Sequence, residues 1–307
     1  MRRTLAMKCG TALIIGAAVT GCDAVATTGS SQNTASPSVR KGRELSDAEQ
    51  ILVRRAEQEL VKKCMAEAGF KYWVGPLPTV DELKGGGYVL TDPDWAERHG
   101  YGSRLREKLQ DAQRNDPNHA YANALPQEER VRYNKTLGGG PASGMLTAEL
   151  PGGGTVQTPA DSCQADAKEQ LYGDFETWFR AEKTAMNLNS LYVPALLKDK
   201  RFTSALTNWA TCMREAGHSY ADPPEIRAKL PDLTEGLSAE EAYATEVRLA
   251  VAEATCAVET DLADTAHELE SEYREKELKR YGEEITAYER MRLAALARAE
   301  EITGSTA

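Results

Sequence analysis

The sequence predicts a mainly α fold made of two related, disulfide-stapled helical hairpin units, with a glycine- and aromatic-rich insert containing a small β-hairpin in the first. Three features predict it: two capping boxes that open long helical stretches, a cysteine-bearing string that occurs twice, and four cysteines in the body of the chain. The 307 residues, 41% hydrophobic and 27% charged, are enough for a buried core in one or two domains. A formal charge of −10, from 47 acidic and 37 basic residues, weighs against a nucleic-acid partner, because phosphate binding needs clustered Lys and Arg.

Arg2, Arg3 and Lys8 precede a short apolar run, Cys9 to Thr20, which reads as the hydrophobic part of a signal peptide over residues 1–21. The run ends in Val19-Thr20-Gly21-Cys22, which resembles a bacterial lipobox and makes Cys22 the expected site of lipidation. The partner it implies is a membrane, held through N-terminal lipid. Residues 22–44 are rich in Ser, Thr and Ala without apolar periodicity, as in a flexible tether. Cleavage would remove three cations and leave the body more acidic still, so attraction to anionic lipid is not the anchor.

The first helix is expected from about 46 to 68. Ser46-Asp47-Ala48-Glu49 is a capping box, and Leu52, Ala56, Leu60 and Cys64 recur every four residues on one stripe. Cys64-Met65-Ala66-Glu67-Ala68-Gly69 is matched by Cys212-Met213-Arg214-Glu215-Ala216-Gly217, each with a Tyr and a Pro at equal distance beyond. This is an internal repeat in which a helix ends on Gly and Pro soon follows. The recurring Glu67 and Glu215 are expected to have structural partners at those helix ends.

Residues 70–158 form the insert. Half of the 24 glycines fall between 85 and 154, and Met145–Leu150 with Thr155–Thr158 around Gly152-Gly153-Gly154 predicts the hairpin. Short helices are expected through Asp94–Ala112 and Pro126–Leu137. Phe70, Tyr72, Trp73, Tyr88, Trp95, Tyr101, Tyr121 and Tyr133 enrich the insert in aromatic rings. One reading is a core for a loop-rich segment; the other is a recognition surface built on Tyr72, Trp73, Tyr88, Trp95 and Tyr101.

Cys163 opens the next helical stretch, Ala160 to about Met186. The second unit, 198–307, follows the first at 45–197. Its first helix runs from near Asp199 to Gly217, and a capping box at Ser238-Ala239-Glu240-Glu241 starts a long C-terminal helix carrying Cys256. That helix is expected to break or kink at Gly282, and Ile285, Tyr288, Leu293 and Leu296 beyond it are available for a partner helix or for packing back. Cys64, Cys163, Cys212 and Cys256 remain after Cys9 and Cys22, an even set that suits two disulfides in an exported chain. Three pairings exist, and the repeat favours Cys64–Cys163 with Cys212–Cys256. No metal site is expected, since CxxC pairs and His at ligand spacing are missing.

No catalytic residue or cofactor is indicated: HExxH, GxSxG and P-loop patterns do not occur. Gly100-Tyr101-Gly102-Ser103 and Asp116-Pro117-Asn118-His119 read as helix ends and Asx turns. Together the lipobox, the tether, the repeated segment, His99–Gly102, Leu171–Asp174 and Trp209–Met213 resemble uncharacterised lipoproteins of high-GC Gram-positive bacteria. The resemblance implies a lipid-anchored protein on the extracytoplasmic face of the cell membrane and supplies no activity. The expectation is a non-catalytic binding or scaffold protein that meets a cell-wall polymer or envelope protein. The alternatives are a cell-wall hydrolase using paired carboxylates and an assembly protein acting through its C-terminal helix.

Overall fold

The fold starts from helices that the sequence caps at both ends. In the computed structural model, which describes residues 43–306, α1 (Asp47–Glu67) opens with the full Ser46/Glu49 capping box and buries Leu52, Val53, Ala56, Leu60, Val61 and Met65. Its end is a Schellman motif: Gly69 takes φ 86°, the Phe70 amide donates to Met65 O at 2.8 Å, and the Gly69 amide donates to Ala66 O. Cys22 and the signal and tether segments up to residue 42 lie outside the described residues.

The insert holds α2 (Val80–Leu83), α3 (Pro93–His99), α4 (Ser103–Arg114), α5 (Pro117–Ala124) and α6 (Gln127–Gly138). The helical stretch expected over 94–112 is interrupted at Gly100–Gly102, both glycines having positive φ. Strands β1 (Met145–Glu149) and β2 (Thr155–Pro159) pair antiparallel with Thr147 opposite Gln157, closed by the glycine turn. Then come α7 (Cys163–Tyr172), α8 (Phe175–Met186), α9 (Asn189–Leu196), α10 (Lys200–Glu215) and α11 (Pro223–Thr234). α10 repeats the ending of α1, with Gly217 at φ 86° and the His218 amide donating to Met213 O at 2.8 Å.

The long C-terminal helix is three helices: α12 (Ala239–Glu259), α13 (Leu262–Leu278) and α14 (Gly282–Thr303). The sequence offers no glycine at the first break. Asp261 turns the chain with φ 55°, the one non-glycine residue at positive φ among those described. Asp tolerates this left-handed conformation better than most residues.

Two disulfides staple the fold, Cys64–Cys163 between α1 and α7 and Cys212–Cys256 between α10 and α12, with Cα separations of 5.5 and 5.7 Å. These match the pairing the repeat favours. Packing crosses the boundary drawn at 197/198. α14 lies against α1, α7 and α8, α3 lies against α12, and α9 against α13. One core gathers Trp209, Phe202, Ile226, Leu262 and Leu269 with Trp95 and Tyr101 of the insert. A second joins the stripe of α1 to Leu171 of α7 and to Ala295, Leu296 and Ala299 of α14. Ile285 and Leu296 are therefore buried by packing back within the chain, and Tyr288 stacks on Trp178 at 5.3 Å between centroids. The remaining small cluster holds the hairpin on α8 through Ala148, Trp178 and Phe179.

Two buried glutamates on α12 fasten the insert. Glu246 Oε1 accepts from the amides of Tyr101 at 2.7 Å and Ser103 at 3.0 Å, so it caps α4, whose N-terminus has no side-chain cap of its own. The carboxylate comes so close that a Cβ on Gly100, at φ 57°, would stand 2.8 Å from Glu246 Cγ. Gly100→Ala is expected to lower stability by about 1–3 kcal/mol in urea denaturation. Gly86→Ala, where a Cβ meets open space, should stay within about 0.5 kcal/mol of the parent.

Candidate functional site

Of the five aromatic residues expected to form a surface, three are taken by packing. Trp95 is 2% exposed, and its indole N–H donates to Asp81 O at 2.8 Å. Tyr101 is 8% exposed and donates its hydroxyl to Glu253, while Tyr88 is half-buried edge-on against Phe202. The insert lacks long apolar helices, so its rings supply much of its share of the core. Trp95 and Tyr101 are thus core residues, a correction to the recognition-surface reading. Glu67 and Glu215 are exposed at their helix ends.

Tyr72 and Trp73 remain: Tyr72 lines a polar cavity of about 360 Å³ between α1, α5 and α7, and Trp73, outside that lining, is joined to it through the backbone bonds it makes with Asn118. Glu57, Gln58, Tyr72, Asp116, Asn118 and Lys168 are among its lining residues. The Schellman turn after α1 sends the chain back along that helix, where Gln58 Oε1 accepts from the Gly75 amide at 2.7 Å. Asn118 clasps Trp73 at two points, accepting from its amide and donating to its carbonyl, both at 2.9 Å. This fixes the backbone while the Trp73 side chain stays exposed, at 39% for the residue. Its ring meets Tyr121 edge-on at 5.6 Å, Tyr121 meets Tyr133 at 5.8 Å, and Tyr133 meets Phe70 at 5.3 Å. A ladder of rings thus runs from the surface into the second core.

The charges here are unequally satisfied. Asp116 commits Oδ1 to the Asn118 amide at 2.8 Å, capping α5, as the Asx reading of that segment anticipates. Burial pushes the Glu57 carboxyl above its ordinary range, opposed by the positive charges of Lys168 and Arg54. The Tyr72 phenol is raised by burial and then by the charges of Asp116 and Glu57. Tyr133 is pushed up to about 12 by burial and by its neighbours Tyr72 and Asp116. Its buried hydroxyl has no hydrogen-bond partner among the described residues, where most buried polar groups find one.

Sequence reasoning missed Glu57, Lys168 and the α12 glutamates. Glu57 follows Ala56 at the edge of the apolar stripe of α1, and Glu246 and Glu253 stand seven residues apart on one face of α12, the signals available for them. Glu253, wholly buried, accepts from the Leu90 amide at 2.9 Å, the Tyr101 hydroxyl at 2.9 Å and Arg227 Nη2 at 2.7 Å. Arg227 Nη1 also donates to Tyr88 O at 2.9 Å. With its bonds supplied from within the chain, this cluster is a structural tie.

Among the described residues no group of three or more His, Cys, Asp or Glu could hold a metal ion, and no helix is long and apolar enough to cross a membrane. Fold and site together define a mainly helical, disulfide-stapled protein with a polar cavity near an exposed tryptophan. Comparison with family models, curated proteins and solved structures finds no match to this chain.

Proposed function

We propose that the chain is a lipid-anchored binding protein of the cell envelope, held through Cys22 on the extracytoplasmic face of the membrane and meeting a cell-wall polymer through the face that carries Tyr72 and Trp73. The observation that carries the binding reading is the cavity, with its half-buried Glu57 and the exposed Trp73 near it. Two disulfides accord with an oxidising compartment, and the Val19–Cys22 lipobox with an anchor. The resemblance to lipoproteins of high-GC Gram-positive bacteria belongs to the same proposal. So does descent of the α1/α7 and α10/α12 pairs from one unit, supported by their matching strings, helix ends and bridges.

Cys22→Ser is expected to abolish labelling by a palmitate analogue and release the protein into the medium; labelling that persists overturns the anchor. For the polymer, the detergent-solubilised full chain should sediment with isolated cell walls, and a chain that stays in the supernatant overturns that part.

A hydrolase is the second reading, favoured by one observation: Glu57 and Asp116 both line the cavity. It requires one carboxyl to act as an acid while the other stays ionised. The commitment of Asp116 Oδ1 to the helix cap weighs for binding. Assembly through the C-terminal helix is the weakest reading, since Ile285 and Leu296 are buried within the chain.

A further inference from the structure

The cavity between α1, α5 and α7 has features that narrow its ligand. Its volume of about 360 Å³ lies at the small end of ligand pockets, roughly 300–1,000 Å³, which suits one ring-sized group and excludes a folded segment of another protein. Among its charged lining residues, acceptors exceed donors. Glu57 accepts no hydrogen bond from the described residues, Asp116 keeps Oδ2 free of them, and Lys168 is the one cation of the lining. An anionic ligand would meet two carboxylates there. A ligand rich in hydroxyl donors would supply what Glu57 lacks, and hydrogen bonds to a charged group are the strong ones.

Aromatic placement points the same way. Trp73 is held by its backbone on Asn118, a lining residue, and braced edge-on by Tyr121, yet keeps its indole exposed. A sugar ring carries an apolar C–H face as well as hydroxyl edges and matches such a neighbour. We propose that this cavity binds one neutral sugar ring of a wall glycan, with ring hydroxyls donating to Glu57 and Asp116 and the apolar face of the glycan lying on Trp73. The proposal rests on the binding reading above and names its ligand class.

The test is titration of the detergent-solubilised full chain, followed by tryptophan fluorescence and calorimetry, with three neutral probes: chitotetraose, cellotetraose and arabinotetraose. Tetragalacturonate is the anionic counterpart. At least one neutral probe should bind saturably, and tetragalacturonate at least tenfold more weakly. Glu57→Gln is expected to weaken binding about 10- to 100-fold, the span for a hydrogen bond to a charged group. Trp73→Phe should remove most of the fluorescence change while the melting temperature stays within a few degrees of the parent. Absence of saturable binding by every neutral probe overturns the proposal, as does binding that Glu57→Gln and Asp116→Asn leave intact, or an equal response to tetragalacturonate. The wider reading fails separately: a chain that sediments with cell walls but ignores these oligosaccharides keeps the envelope role and loses this site, while the converse keeps the site and loses the wall.

Discussion

Glu253→Ala is expected to lower the unfolding free energy by about 3–5 kcal/mol, the cost of breaking a buried charge pair from one side, measured by urea denaturation at pH 7. The substitution leaves the Leu90 amide, the Tyr101 hydroxyl and one arm of Arg227 without the acceptor they share, and opens a void where a wholly buried side chain stood. Arg227→Ala attacks the same pair from the other side, so the double variant should lose clearly less than the sum of the singles. Additive losses below about 1 kcal/mol each, the range of exposed pairs, would show that the cluster ties nothing together. The pH profile gives a second readout. Burial lifts the Glu253 carboxyl above its ordinary value of 4.5 in the folded chain, which then holds that proton more tightly than the unfolded one. The proton-linked part of its contribution is therefore full below pH 4.5 and falls as pH rises through the raised value, while its hydrogen bonds and packing remain. Glu253→Gln removes that slope.

Removing the Cys64–Cys163 bridge is the other large change. The bond spans 99 residues and Cys212–Cys256 spans 44. In the chain-entropy account a loop of 100 residues contributes about 4.7 kcal/mol, and the shorter loop roughly 0.7 kcal/mol less. The double alanine variant at Cys64 and Cys163 is therefore expected to lose about 2–5 kcal/mol, the usual range for a native bridge, and more than the variant at Cys212 and Cys256. Denaturation of both variants under nonreducing conditions checks the order. Peptide mapping of the parent should return these two bridged pairs, and a Cys64–Cys212 peptide would contradict them.

What could be read in advance was what neighbours in sequence decide. Ser46 and Ser238 announce their helices because capping acts over three residues, and Gly69 and Gly217 end theirs because a left-handed residue is needed there. The hairpin was legible from its glycine turn and the pairing of cysteines from the matching strings that carry Cys64 and Cys212. Features settled by distant chain were not. Trp95 and Tyr101 look like Trp73 in the sequence, yet α12 covers the first two and nothing in the described chain covers the third to the same degree. Glu57 reads as an ordinary solvated helix residue until α5 and α7 wall it in. The break at Asp261 carries no glycine to mark it, and the docking of α14 on α1 lies more than two hundred residues beyond its partner.

That docking bears on how the chain reaches its fold. Ala295, Leu296 and Ala299 complete a core begun by residues 52–65, so the first helix of the described residues is covered by their last. Contacts of such long separation carry a large loop-closure entropy and slow the folding transition. Until α14 is available, the stripe of α1 stays open along one side. A chain cut after Tyr281 would expose that stripe permanently and leave an apolar patch open to aggregation.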